Sequence, residues 1–285
     1  MHSRYTGLLY VVPAFAALLL VLFSPVFYGF WYSLHRIQYG IPKNFIGLAN
    51  YSKLFSDPNL PGTFARTMVH TSCSVVLTAA IALALAIWIN RMERRRGFIV
   101  QMIIILPWIT STVVATLLFR WVFVSDIGLL MSLLRSLKLP DAQLLNDPEQ
   151  AMGLLIAVSV WKRIGYALII LLAGLKSIPD DYQEAASLDG AGPWQLFRLI
   201  ILPLMKTPLL LVVIVLTLSN INTVEGPLVL TGGGPGNATR VLAIDVFERA
   251  FTTYDVGGAT SLALIMFACN VLLVLAYVRL SKWKL

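Results

Sequence analysis

Six stretches of this chain carry almost no charge over a length that matches a lipid bilayer. Gly7 to Leu34, Phe98 to Phe119 and Ser261 to Val278 contain no charged residue. Thr67 to Asn90 contains only His70, Ala151 to Ala173 only Lys162 and Arg163, and Leu204 to Val224 only Lys206 at its edge. A hydrocarbon core about 30 Å thick needs roughly 20 apolar residues of helix to span it. Backbone N–H and C=O groups in lipid must be paired internally, so such runs read as helices. The expectation is an all-α membrane protein, a single domain over residues 1–285. Its spans fall near 7–34, 67–90, 98–119, 151–173, 204–224 and 261–278.

Charged residues make up only 13% of the 285, against about 25% in an ordinary soluble domain. The first run is too long for a signal-peptide core and has no clear small-x-small cleavage site. Cys73 and Cys269 both fall inside expected spans and read as small apolar packing residues, not as a disulfide. A net charge of +8 would suit nucleic acid in a soluble chain. Here it points to the Lys/Arg bias of cytoplasmic loops.

Six spans put both termini on one side. With that side inside, the inner segments hold Arg4, Arg91, Arg94, Arg95, Arg96, Lys176, Arg198, Lys206, Arg279, Lys282 and Lys284. The longer outer segments, near 35–66, 120–150 and 225–260, hold Arg36, Lys43, Lys53, Arg66, Arg135, Lys138, Arg240 and Arg249. Charge density and the Arg91–Arg96 cluster in a very short loop favour cytoplasmic termini. The second outer segment is rich in acids and turn formers, with Asp126, Asp141, Asp147, Pro148 and Glu149.

That orientation places a compact polar unit, about 174–203, in the cytoplasm. Ser177 reads as an N-cap, with Pro179, Asp180 and Asp181 in the first turn. Tyr182 to Leu188 reads as a short helix ended by a left-handed Gly190. Gly192-Pro193 restarts a helix through Trp194, Leu196, Phe197 and Arg198, and Pro203 and Pro208 mark the next span. Glu184 and Asp189 offer anions, Ala185 and Ala186 allow close approach, and Tyr182, Trp194, Leu196 and Phe197 are apolar anchors. The unit is either a docking surface or an elbow between spans whose aromatics lie in the lipid interface.

The pattern Glu184-Ala185-Ala186, three residues, Gly190, nine residues, then Ile200-x-Leu202-Pro203 resembles the cytoplasmic EAA loop of binding-protein-dependent ABC transporter permeases. The segments 230–239 (Leu-Thr-Gly-Gly-Gly-Pro-Gly-Asn-Ala-Thr), 174–179 and 47–51 are similar to the carbohydrate-uptake, maltose-type subgroup. The resemblance covers about residues 10–280. It implies an ABC importer type I permease-like bundle in a bacterial-type plasma membrane. It also implies a second, homologous permease chain, two ATPase subunits and an extracytoplasmic substrate-binding protein as partners. The loop would act as the coupling helix, with Glu184, Ala185, Ala186, Asp189, Gly190, Trp194, Phe197 and Arg198 facing the ATPase. The chain would be a transport subunit with no catalytic site, moving a sugar, an oligosaccharide or a glycerol-phosphate diester. It would bind no cofactor or metal itself, with ATP and Mg on the ATPase. Consistent with that division, no glycine is followed by lysine, so no Walker A phosphate cradle can form.

Polar residues inside the spans are the candidates for a substrate path. Lys162 and Arg163 each cost about 2.5–3.5 kcal/mol at the bilayer centre. They must snorkel, pair between helices or line a water-filled path. Asn220, Asn222 and Glu225 close the fifth span and suit hydrogen bonds to sugar hydroxyls, or polar contacts between helices. Pro107, beside Thr110-Ser111-Thr112, is expected to kink the third span, either as structure or as part of a gate. His70 reads as an end-of-span polar contact and Arg120 as a snorkelling cation. His2 and His35 have no metal-site spacing. Gly232–Gly236 reads as a flexible turn or as a loop touching the binding protein or substrate. Asn237-Ala238-Thr239 is a weak sequon without meaning in such a permease. Val241 to Phe251 reads as a short amphipathic helix at the outer surface or the packed start of the last span.

Two rivals remain. A polytopic membrane enzyme, such as a lipid-linked glycosyl or phosphate transferase, needs acids or histidines clustered at one face, and here they are scattered. A lone proton-coupled carrier should show internal repeats and embedded acids, and neither is evident.

Overall fold

The computed structural model describes residues 3–38, 41–124, 128–137 and 143–282. His2, Asp126, Lys138, Asp141 and Lys284 lie outside the described residues, as do the side chains of Arg4 and Lys282. The described chain is helical apart from one two-stranded hairpin. Four helices are long and apolar enough to cross a membrane, and up to six if each of two bent pairs counts as one span.

In chain order the elements are α1 (Ser3–Ser33), β1 (His35–Gln38), β2 (Ile41–Phe45), α2 (Ala49–Phe55), α3 (Leu60–Asn90), α4 (Arg94–Ile109) and α5 (Thr112–Phe123). They continue as α6 (Leu129–Ser136), α7 (Pro148–Lys176), α8 (Asp181–Leu188), α9 (Pro193–Leu196) and a π-turn (Phe197–Ile201). The last are α10 (Leu202–Leu204), α11 (Lys206–Ile221), α12 (Glu225–Leu230), α13 (Leu242–Phe251) and α14 (Val256–Lys282). Two compact units divide them: Met1–Gly62 with Asp245–Val271, and Thr63–Ile244 with Leu272–Leu285.

Within the first unit, polar contacts fix the corner after α1. Asn50 donates to Ser33 O at 2.7 Å and to His35 O at 3.2 Å, and Tyr51 donates to Ser33 Oγ at 2.9 Å. Arg249 meets Asp57 at 2.8 Å, and Lys53 meets Asp255 at 3.4 Å. From Val11 to Tyr32 no residue of α1 is buried; Ser33, at its end, is. An apolar helix of that kind needs lipid or another chain against it.

The second unit holds the apolar core. Ala82, Ala86 and Ile89 of α3 pack with Leu168, Leu171 and Leu175 of α7 and with Val212 and Leu216 of α11. Small residues let these helices approach closely. A Cβ at Gly165 would lie 2.7 Å from Ile104 O, and one at Gly174 would lie 2.5 Å from Pro208 Cγ. Those two glycines set how near α4 and α11 come to α7. The start of α7 is well capped: Asp147 Oδ1 accepts from the N–H groups of Glu149 and Gln150 at 3.0 and 2.9 Å, with Pro148 in the first turn.

Several sequence expectations are revised here. The run 98–119 is not one straight span: α4 and α5 meet at a bend of 93°. Pro107 sits inside α4, and the break falls at Thr110-Ser111, where Thr110 is extended (ψ 156). The 204–224 run starts at a 66° bend between the 193–204 segment and α11, and ceases to be helical at Asn222. His70 lies well inside α3, fully buried, with Nε2 3.1 Å from Ser159 Oγ. Cys73 is an exposed free thiol and not a packing residue. Residues 241–245 are buried, so α13 does not lie on a surface along its length. The 232–236 turn is tightly held: Thr239 Oγ1, itself buried, donates to Gly234 O at 2.8 Å and lies 2.6 Å from Thr231 Oγ1. It is therefore not a slack linker. Arg120 does not simply snorkel, because its guanidinium donates to Val229 O at 3.2 Å.

Candidate functional site

Two places in the second unit gather the polar residues singled out above. The first is the turn between α7 and α11. Ser177 does not cap α8; it ends α7, its hydroxyl donating back to Gly174 O at 2.7 Å. Asp180 is the N-cap position of α8, without a side-chain cap. Gly190 takes φ +76, a conformation only glycine adopts freely, and α8 stops there. Gln195 Oε1 accepts from Gly192 N–H at 2.8 Å and starts α9.

Glu184, Ala185, Asp189, Gly190, Trp194 and Arg198 are exposed on this turn. Ala186 and Phe197 are less accessible than these, although Ala186 still borders the groove along the turn. Ala186 is 7% exposed, and its carbonyl accepts from Ala191 N–H. Phe197 packs against the core, with its ring 5.6 Å from that of Trp194. The sequence reading missed Leu188 and Leu199, which are 89% and 68% exposed. The signal was present for Leu188, a large apolar residue between Ser187 and Asp189, but not for Leu199, which sits in the apolar run 199–202. A groove of about 830 Å³ runs along the turn, lined by Tyr182, Ala185, Asp189, Gln195 and Leu199 among others. Exposed apolar groups beside two carboxylates and a groove suit protein docking better than an elbow in lipid.

The second place is a polar pocket of about 470 Å³ between α4, α7 and the end of α11. Lys162, Arg163, Ser219, Asn222, Thr223 and Glu225 line it, with Trp108 at one wall. Lys162 is buried, and its ammonium donates to Pro107 O at 2.6 Å, to Thr110 O and to Thr110 Oγ1 at 3.1 Å. An ammonium has three N–H donors, and all three are engaged. Lys162 therefore staples the α4–α5 break, with its ammonium donors turned to that break from the wall of the pocket. Arg163 donates through Nε to Ser219 Oγ at 3.1 Å and through one Nη to Ser159 O at 3.4 Å. A guanidinium has five donors, so donors remain for a guest.

Asn222 and Glu225 are exposed and face the pocket. Asn220 is not part of it: it is 1% exposed, its amide donates to Leu216 O at 2.8 Å, and its Oδ1 is buried without a partner. Residues two apart on a helix point to different faces, which separates the two asparagines. The same rule joins Ser219 to Asn222, three apart, and would have found Ser219. Among the described residues no group of three or more His, Cys, Asp or Glu could hold a metal ion.

A family model described as "Binding-protein-dependent transport system inner membrane component" matches residues 75–284. The chain is 30% identical to the sulfoquinovosyl glycerol transport system permease protein of Agrobacterium fabrum, over 99% of this chain and 92% of that protein. It is 29% identical to the trehalose/maltose transport system permease protein of Thermococcus litoralis, over 98% and 94%. In fold it matches a chain of a bacterial alginate ABC transporter crystallised with an alginate pentasaccharide-bound periplasmic protein. That match has a TM-score of 0.85 at 21% identity, covering 99% of this chain and 96% of that one.

Proposed function

The chain belongs to the family of binding-protein-dependent transport system inner membrane components, and on that footing we propose that it forms half of a path carrying a sugar or oligosaccharide across the membrane. It is a multi-pass permease subunit and not an enzyme. The carrying observation is the polar pocket set in an apolar bundle. The Asn222 amide, the Ser219 and Thr223 hydroxyls and the Glu225 carboxylate offer the donors and acceptors that a polyhydroxyl guest needs, and Trp108 offers an apolar face. With Lys162 saturated, the pocket presents one cation, Arg163, and one anion, Glu225. That balance favours a neutral sugar over a phosphodiester, for which two free cations would be the better match.

The partners follow from unsatisfied surfaces. A second homologous permease covers the bare faces, including α1. ATPase subunits, which hold ATP and Mg, dock at Glu184, Ala185, Asp189, Trp194 and Arg198, with Leu188 and Leu199 added. A binding protein delivers the sugar on the opposite side. The 177–205 turn and the termini are cytoplasmic, and the membrane is a bacterial-type plasma membrane. ATP-driven closure of the ATPase pair then rocks the spans between two access states.

The test is uptake and substrate-stimulated ATP hydrolysis by the reconstituted assembly against neutral disaccharides, acidic sugars and glycerol-phosphate diesters. Stimulation by a neutral sugar, weakened in N222A and E225Q, supports the reading. Stimulation by phosphodiesters alone overturns it.

A further inference from the structure

On the membrane face that carries the 177–205 turn, the chain holds a basic cavity that the permease reading does not use. α3 ends at Asn90 and α4 begins at Arg94. Around that junction stand Arg91, Arg94, Arg95 and Arg96 against one acid, Glu93, which is paired to Arg96 at 3.5 Å. The side chains of Arg91, Arg94, Arg95 and Lys176 have no hydrogen-bond or ion-pair partner among the described residues. Arg94, Arg95 and Lys176 converge on a cavity of about 660 Å³ that also takes in Asn90, Gln101, Phe98 and one acid, Glu93, so cations outnumber carboxylates there by three to one. Arg91 and Arg96 carry the same charge but do not line it.

Membrane orientation needs only net positive charge in this loop; it does not need three cations and two amides around one hollow. The hollow lies where two apolar helices end, which is headgroup depth. Below it, Phe98, Ile99, Met102 and Ile103 of α4 are all exposed. A cationic, amide-lined recess continuous with an exposed apolar strip has the shape of an amphiphile with an anionic head. We propose that this cavity binds the phosphate headgroup of an anionic phospholipid, whose acyl chains lie along α4. The proposal concerns the lipid around the permease and does not depend on which substrate the polar pocket takes.

The test uses the intact assembly in nanodiscs of phosphatidylcholine containing a minor fraction of photoactivatable phosphatidylglycerol. Label should map to residues 89–101 and the neighbourhood of Lys176; label confined to other segments overturns the assignment. Native mass spectrometry of the released complex then counts retained lipid. Near a membrane surface each Lys or Arg strengthens anion binding about fivefold, so R94Q/R95Q should weaken phosphatidylglycerol retention by roughly 30-fold. R91Q/R279Q, with the same loss of charge, should change it far less, since neither residue lines the cavity and the Arg96–Glu93 pair is left intact. Equal losses in the two pairs, no preference for phosphatidylglycerol over phosphatidylcholine, or displacement by millimolar inorganic phosphate would each overturn the proposal. The last would mark a free-anion site, and competition by a soluble acidic peptide would mark a protein surface.

Discussion

Lys162→Met tests whether the α4–α5 break is held by a single side chain on α7. The ammonium serves Pro107 O, Thr110 O and Thr110 Oγ1, and the residue is 8% exposed. Methionine fills a similar volume but leaves Thr110 O without its donor and Pro107 O with only the Thr110 hydroxyl, 2.7 Å away. Interhelical hydrogen bonds in membranes average about 0.6 kcal/mol, while bonds to a charged group contribute about 1.5–3 kcal/mol in proteins. Three bonds at between about 0.6 and 1.5 kcal/mol each put the expected loss at about 2–4.5 kcal/mol. Relief from burying the cation, about 2.5–3.5 kcal/mol on insertion scales, does not offset this. The side chain is already in the bilayer when the helices separate, so that cost enters both states. Detergent–SDS titration of the purified chain, followed by circular dichroism, reads the difference. Thr110→Val, which removes one acceptor, should lose about 0.6–1 kcal/mol. A Lys162→Met protein within about 0.5 kcal/mol of the parent, well below the expected range, would refute the staple.

Three further outcomes follow from the geometry. Glu184→Lys should leave insertion intact while lowering uptake by the reconstituted importer about tenfold or more, the factor that 1.4 kcal/mol of lost docking energy gives; normal uptake would remove Glu184 from the docking surface. Gly165→Ala should destabilise the second unit by about 1–3 kcal/mol through overpacking, because the new Cβ meets Ile104 O at 2.7 Å and Ile105 Cα at 2.9 Å; thermal unfolding reads it, and an unchanged midpoint would mean that α4 shifts without penalty. Asp57 accepts from the backbone N–H of Asn59 at 3.0 Å and from Arg249 at 2.8 Å, which together hold its carboxyl below the usual range. A depressed folded value means that its stabilisation is complete above the unfolded pKa of about 3.9 and is lost as pH falls through the folded one. Limited proteolysis of the first unit should therefore accelerate on acidification below about pH 4, and Asp57→Asn should flatten that dependence.

The apolar runs were legible because bilayer crossing demands length and apolarity, and composition reports both. The breaks were not. Pro107 hinted at a kink, but at the 93° turn at Thr110-Ser111 the Thr110 carbonyl is paired by Lys162, 52 residues later. No local window contains both partners. Gly190 was legible since its left-handed cap is a one-residue property. Ser177 was misread because α7 continues to Lys176, and tertiary packing of Leu171, Leu172 and Leu175 carries the helix past the point where local signals suggested a new start. Ala186 looked available because an alanine on an amphipathic turn can face either way. The pair Asn220 and Asn222 looked equivalent in sequence, and helical angle alone separates them.

The staple at residue 162 also imposes an order on biogenesis. Residues 107–110 leave the ribosome long before Lys162 does, so α4 and α5 enter the bilayer with Thr110 O still seeking a donor and Pro107 O served only by the Thr110 hydroxyl. Water or the translocase must serve Thr110 O until α7 arrives. The nascent chain thus passes through an interval in which this corner is open and wet, and only the fourth long hydrophobic segment can dry it.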